Sequence, residues 1–399
     1  PPAKKMRMVK LILDAGLQGP SLDTALVNAI KRGQEELPMC DLLLKYGASV
    51  NALHGEALNS CCRSGNLGLL EKLLNSAHRP APEILSIVFQ SSLVLDYKIR
   101  PRAMELILQA GMPIDNQVAA ALDRLVLERR PHMQSIEVLL SFHASVHFEA
   151  HRPLIIAAKT LNMILLKLLL EQSRDPSAPS KVFAVLMEDE SFWKKQEAFE
   201  IMALLLENGA EGLAVDDALI KAVKDGQPRA RHFEIMLLQH ANIDHKDGEA
   251  LQIATEKGAA ALVKRMLDMK PAAESISMAF PYAFVTGLPE TTCLAVIQAF
   301  VERAADDLYP DYMHPGIPDP PVFLCLRHYA NSLSVLETTL DAGFNVDQAM
   351  SSESGNYTAL YWALSGGNQF GDHVVDCLIS RGGEFDLCVL FLFAKSQTC

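Results

Sequence analysis

Two kinds of apolar segment alternate along the chain. One carries a large and a small apolar residue three apart, as in Leu26/Ala29, Leu58/Cys61, Leu154/Ala157, Leu219/Ala222, Leu251/Ala254 and Leu360/Ala363. That spacing puts both residues on one helical face, and the small partner lets a neighbouring helix come close. The other kind is bulkier, as in Leu69, Leu70, Leu73 and Leu74, and closes on a run such as "LLLKYG" or "LLLENG". A glycine at that point suits a left-handed C-cap, where a side chain would clash. Earlier glycines at 33, 65, 226 and 258 end the first kind of segment in the same way. The pattern predicts pairs of short helices, and no pair can bury its apolar face without a neighbour.

The pairs recur. Residues 55–74, "GEALNSCCRSGNLGLLEKLL", align without a gap on residues 248–267, "GEALQIATEKGAAALVKRML". The position that closes each second helix runs Gly16, Gly47, Ala77, Gly111, His143, Ser173, Gly209, His240, Lys270, Arg303, Gly343 and Gly382. The mean spacing of these anchors is about 33 residues, the period of ankyrin units. The chain resembles a divergent ankyrin-repeat array. The resemblance is carried by the two segments just quoted, by "TALVNAIKRG" from Thr24 and by "TALYWALSGG" from Thr358. The T-P-L-H opening of that family is not intact: Pro153-Leu154 keeps the proline, and Asn59, Gln252 and Val27 stand in the histidine slot. The resemblance implies an all-α, ankyrin-like repeat solenoid of about twelve helix-turn-helix units with short inter-repeat fingers. It would run as a single array over residues 1–399, interrupted by a Pro-rich insertion at 305–323. The pattern is also similar to the ankyrin portions of large fungal multidomain proteins, NLR-like or ATPase. The first and last segments read as half-units, so the array is expected to be part of a longer chain. Val389, Leu390, Leu392 and Phe393 would then be exposed at the C-terminal end.

Composition narrows the partners. The chain is 49% hydrophobic and 21% charged, with a formal net charge of −12, which argues against general affinity for nucleic acid or anionic membranes. No segment has the pattern of a secretory signal, and apolar stretches such as "FDLCVLFLFA" are too short for a membrane span. The eight cysteines form no C-x-x-C pair and lie among Leu and Val, as expected of buried thiols in a reducing, intracellular compartment, cytoplasmic or nuclear.

Candidate chemistry is sparse. His143, His147 and His151 follow the i, i+4, i+8 spacing that would align three imidazoles on a helix. His143 takes the cap position, however, and the others fall in a finger. An extended finger would hold them too far apart to share an ion, so exposed histidines and no metal or other cofactor are expected. The sequence has no Walker loop, G-x-S-x-G elbow or H-E-x-x-H motif. Asp216-Asp217 and Asp306-Asp307 are expected to serve as N-caps.

The positional signal is stronger. In ankyrin-like arrays the two residues before the first-helix glycine face the concave groove. Here those positions hold Lys31-Arg32, Arg63-Ser64, Lys159-Thr160, Lys224-Asp225 and Glu256-Lys257. Basic residues at a helix C-terminus also complement the helix dipole, which accounts for part of the bias. The reading is a non-catalytic scaffold binding another protein, one with an acidic surface or another domain of its parent chain. The alternative is an enzyme or metal-dependent module built on the same scaffold. In the insertion, Tyr309, Tyr312, Met313 and His314 form either a recognition loop or a connection stiffened by its prolines.

Overall fold

A computed structural model describes residues 2–33, 36–226, 231–285, 287–352, 355–365 and 370–384. Val389, Leu390, Leu392 and Phe393 lie outside this set. The described chain is all-α, with one short antiparallel hairpin among the described residues that pairs Met350–Ser352 with Gly355–Tyr357. None of the described helices is long and apolar enough to cross a membrane.

The chain divides into two compact units, Pro1–Leu186 and Met187–Cys399. In the first, Pro20–Lys31 packs on Ala52–Arg63, which packs on Pro82–Ser92. The second helices form a parallel series, with Leu67–Leu74 against Arg100–Gln109 and Arg100–Gln109 against Met133–Ser141. The second unit repeats the scheme. Leu213–Asp225, His245–Glu256 and Ala273–Ala279 form one series, and Ala260–Asp268, Glu290–Ala304, Leu333–Asp341 and Asp372–Ser380 the other.

Packing follows the apolar code. Leu26, Leu58, Leu154, Leu219, Leu251 and Leu360 are buried, as are their small partners Ala29, Cys61, Ala157, Ala222, Ala254 and Ala363. Phe192 and Trp193 are also core residues, and Trp193 lies edge-on to Phe199 and Phe233. Exposed ion pairs join the second helices of successive units: Lys72 to Asp41 (2.8 Å), Lys264 to Glu302 (2.6 Å) and Arg381 to Asp341 (2.7 Å). Such exposed pairs are screened by solvent and contribute little to stability. The buried apolar contacts supply most of the stability.

The fingers are held by a different device. A side-chain acceptor on one finger receives a backbone N–H from the next. The Oδ1 atoms of Asn51, Asp244 and Asp347 accept from the amides of Ala81 (2.7 Å), Ala272 (2.8 Å) and Glu384 (2.7 Å). A related bond runs from a first helix to the finger that follows it. Asp23 accepts from the Ser49 amide (2.7 Å), and Asp216 accepts from the Asn242 amide (2.6 Å). Asp216 therefore departs from the N-cap expectation: it is buried within Leu213–Asp225 and reaches across to the next finger. Asp217 does likewise, accepting from His245 (2.9 Å) and Lys246 (2.7 Å). Arg303 departs from the cap expectation too. It lies inside Glu290–Ala304, which runs on into a 3-10 turn because no glycine or proline intervenes before Pro310.

Two glycines separate backbone demand from space. Gly47 has φ +91° with open space where a Cβ would stand, whereas at Gly258, with φ +69°, a Cβ would come 2.5 Å from Thr292 Cγ2. Gly47→Ala should therefore cost about 1–2 kcal/mol from backbone strain alone. Gly258→Ala should cost more, and Gly258→Val more again. Denaturant midpoints of the three variants check the order; equal midpoints for the two alanine variants would remove the close approach as a cause.

Candidate functional site

The residues before each first-helix cap form an exposed row. Lys31, Arg32, Arg63, Ser64, Lys159, Thr160, Lys224, Glu256 and Lys257 are all exposed. The row is split between the two units, so it comprises two groups, each described within its own unit. Several of its charges already have partners. Lys31 pairs with Glu56 (2.9 Å), and Lys224 pairs with Glu249 (2.6 Å), in each case on the following first helix. The Glu56 carboxyl is held below its usual range, chiefly by its hydrogen bond from Lys31. Lys257 donates to the carbonyls of Val223 (2.9 Å) and Lys224, closing the end of Leu213–Asp225. It also borders a cavity of about 500 Å3, along with Val223, Gly226, Glu234, Ala254 and Arg265. Arg32 lines a smaller hollow of about 240 Å3 with Lys5 and Glu36. Two of the six basic residues of this row, Lys31 and Lys224, are thus matched by glutamates one residue after the finger glycines.

The Pro-rich segment is fastened on both sides. The Tyr309 amide donates to Ser277 Oγ (3.0 Å), and the Tyr312 hydroxyl points to Met278 Sδ (3.4 Å). From the other side the Asn345 amide donates to Pro310 O (3.0 Å), and Gln348 Nε2 donates to Tyr312 O (3.3 Å). His314 packs edge-on against Tyr282, and burial lowers its pKa from the ordinary histidine value. Tyr312 and His314 are half-buried, whereas Tyr309 and Met313 are 48% and 46% exposed. The four residues therefore separate into two that anchor the loop and two that it displays.

The histidine expectation needs correction. His143 does take the left-handed cap position, with φ +61°. His147 and His151, however, are not spread along an extended finger. Glu149, Ala150 and His151 have φ of +44°, +55° and +67°, and this left-handed turn folds the chain back on itself. It brings His147 Nδ1 to 2.9 Å from His151 Nδ1, and His151 is buried, with 6% of its surface exposed. The same left-handed run occurs at Leu53–Gly55 and Lys246–Gly248, where the third residue is glycine. His151 thus occupies a glycine position, and His147 occupies the acceptor position held elsewhere by Asn51 and Asp244.

Asp175 joins them from the following finger. The Arg174 amide faces His147 Nε2 (3.4 Å), as the Ala81 amide faces Asn51. That donor places the His147 proton on Nδ1, toward His151. His151 Nε2 lies 3.3 Å from Asp175 Oδ2. Asp175 is oriented by the Ser177 amide (2.9 Å) and hydroxyl (2.6 Å) and by Lys181 (2.9 Å). The Ser177 hydroxyl, Lys181 and the Ser177 amide hold its carboxyl well below the usual carboxylate range. Burial lowers the pKa of His151, as do the charges of His147 and Lys181, against the opposing pull of Asp175. Sequence reasoning missed Asp175; aligning His151 on Gly55 and Gly248 would have drawn attention to this finger. It also missed Asp123, a buried carboxylate whose Oδ1 has no hydrogen-bond partner and whose pKa is raised chiefly by burial.

A scan of the chain against protein-family models gave no match, and a search of the curated proteins gave none either.

The described thiols are ill suited to nucleophilic chemistry. Cys40, Cys61, Cys62, Cys293, Cys325 and Cys377 are all buried, and burial pushes Cys61 and Cys62 up to about 12. A thiol of that pKa is almost wholly protonated at pH 7 and does not attack readily. Peptide mapping after brief alkylation of the native chain should therefore find these six unmodified, and all should react in denaturant. Native modification of Cys61 or Cys62 would refute this assignment.

Proposed function

We propose that the chain is a non-catalytic protein-binding scaffold, an ankyrin-like solenoid whose ligand lies along the row before the first-helix caps. The observation that carries this reading is the recurrence of exposed residues at one position of successive units, set on a core that uses the same apolar positions each time. A surface of that kind offers a periodic set of contacts to an extended partner. The pairing of Lys31 and Lys224 with glutamates shifts the weight of recognition. Arg32 and Arg63 become the leading contacts in the first unit, suited to bidentate carboxylates on an acidic partner. Tyr309 and Met313 supply a second contact surface in the second unit.

Affinity capture followed by mass spectrometry would identify a partner, whose binding could then be measured with purified proteins. Arg32→Glu with Arg63→Glu should weaken binding by about tenfold or more, since charge reversal at an interface costs several kcal/mol at most. The melting temperature should not change. Association should slow as salt rises through the screening range, while dissociation changes less. The same reversal at Lys10 and Lys45, exposed on second-type helices, serves as the control. If both pairs of reversals act alike, or binding ignores salt, the row is not the site and the Tyr309–Met313 surface replaces it.

A further inference from the structure

We propose that His147, His151 and Asp175 bind one divalent transition-metal ion with zinc-like ligand preference, joining two successive fingers. Each residue brings a nitrogen or oxygen atom to within 4.8 Å of the others. Tetrahedral ligands about 2.1 Å from a shared ion stand about 3.4 Å apart, so side-chain adjustments of up to about 1.4 Å complete the set. Two imidazoles and one carboxylate are a donor set that suits zinc and its neighbours, with solvent in the fourth position.

The other fingers provide an internal control. At Asn51/Gly55 and Asp244/Gly248 the same left-handed turn forms, and the same bond to the next finger is made, without an imidazole. The fold therefore requires only an acceptor at the first position and glycine at the second. In this finger both are histidine, and one of them carries a side chain in a conformation that costs about 1–3 kcal/mol where glycine would be free. Burying it adds a desolvation cost. A purely structural role accounts for His147, which still accepts from the next finger's amide, but not for His151.

The surroundings match those of a metal ligand set. An ion at His147 Nδ1 requires the ring proton to move to Nε2, so the bond from the Arg174 amide is given up on binding, whereas the Ser177 amide and hydroxyl fix Asp175 through Oδ1, leaving Oδ2 toward His151. Such outer contacts orient ligands. A hollow of about 170 Å3 beside His147, lined also by His143, Ser145 and Gln172, gives a path from solvent. Lys181 is the competitor for Asp175 Oδ2. Its side chain is 56% exposed, so it can swing outward when a cation arrives.

The test uses the full chain without a histidine tag. Titration with Zn2+, followed by calorimetry, and with Co2+, followed by visible absorption, should show one site per chain. Zn2+ should also raise the melting temperature. His147→Asn with His151→Gly installs the residues of the equivalent fingers, so the variant should fold as the parent does. It should bind at least about tenfold more weakly, the scale of loss seen even for outer-contact changes, and show no metal-dependent rise in melting temperature. Asp175→Asn should act in the same direction and decides the matter if the double variant does not fold. Lys181→Met should tighten binding. Equal affinity in the parent and either ligand variant overturns the proposal, as does a parent chain that binds no Zn2+.

Discussion

Every helix pair in this protein has apolar residues that its own partner helix cannot cover. Leu58 and Cys61 are fully buried only because Pro20–Lys31 lies on one side and Pro82–Ser92 on the other. This shared burial is the constraint from which the rest follows. It demands a small residue where two first helices meet, and a bulky cluster on the second helices. It also demands tight turns that return the chain to register about every 33 residues. Ion pairs and finger hydrogen bonds then act on a geometry that the apolar residues have already set, refining the alignment of neighbours.

The parts of the fold legible in the sequence are those that each unit must satisfy for itself. The Leu-x-x-Ala spacing, the bulky second helices and the cap positions all appear in the residue string because a local clash or an exposed leucine would penalise their loss. His143 and Lys270 were readable even without glycine, since position alone marked them, and both adopt positive φ. What the sequence concealed depends on the next unit. Asp216 looks like a helix-start cap until the Asn242 amide comes within 2.6 Å of it. Lys31 looks like a free charge until Glu56 is placed opposite. His147 and His151 looked far apart because only the third residue of a left-handed turn tends to be marked by glycine, and here that mark is missing.

The candidate sites differ in how they relate to this scaffold. The exposed row before the first-helix caps is a by-product of repetition: any residue in that position is displayed, and its identity can change without disturbing the core. The His147–His151–Asp175 group is the reverse case. It departs from the repeat at a position where departure carries a backbone penalty, and it draws residues from two fingers. A periodic structure makes such an exception conspicuous, because the neighbouring units show what the fold alone requires.

The hand-off between fingers also bears on how freely this chain can change over evolutionary time. In four of the finger-to-finger bonds the acceptor side chain belongs to the earlier finger, and the later one donates its main-chain amide. Any residue except proline offers that amide. The donating positions, Ala81, Arg174, Ala272 and Glu384, accordingly include a small apolar, a basic and an acidic residue, and Ala81 is flanked by Pro80 and Pro82 without being proline itself. Selection acts on one end of each link and leaves the other open to drift. A lineage built this way can lose recognisable sequence at half of its inter-finger contacts while every link remains intact.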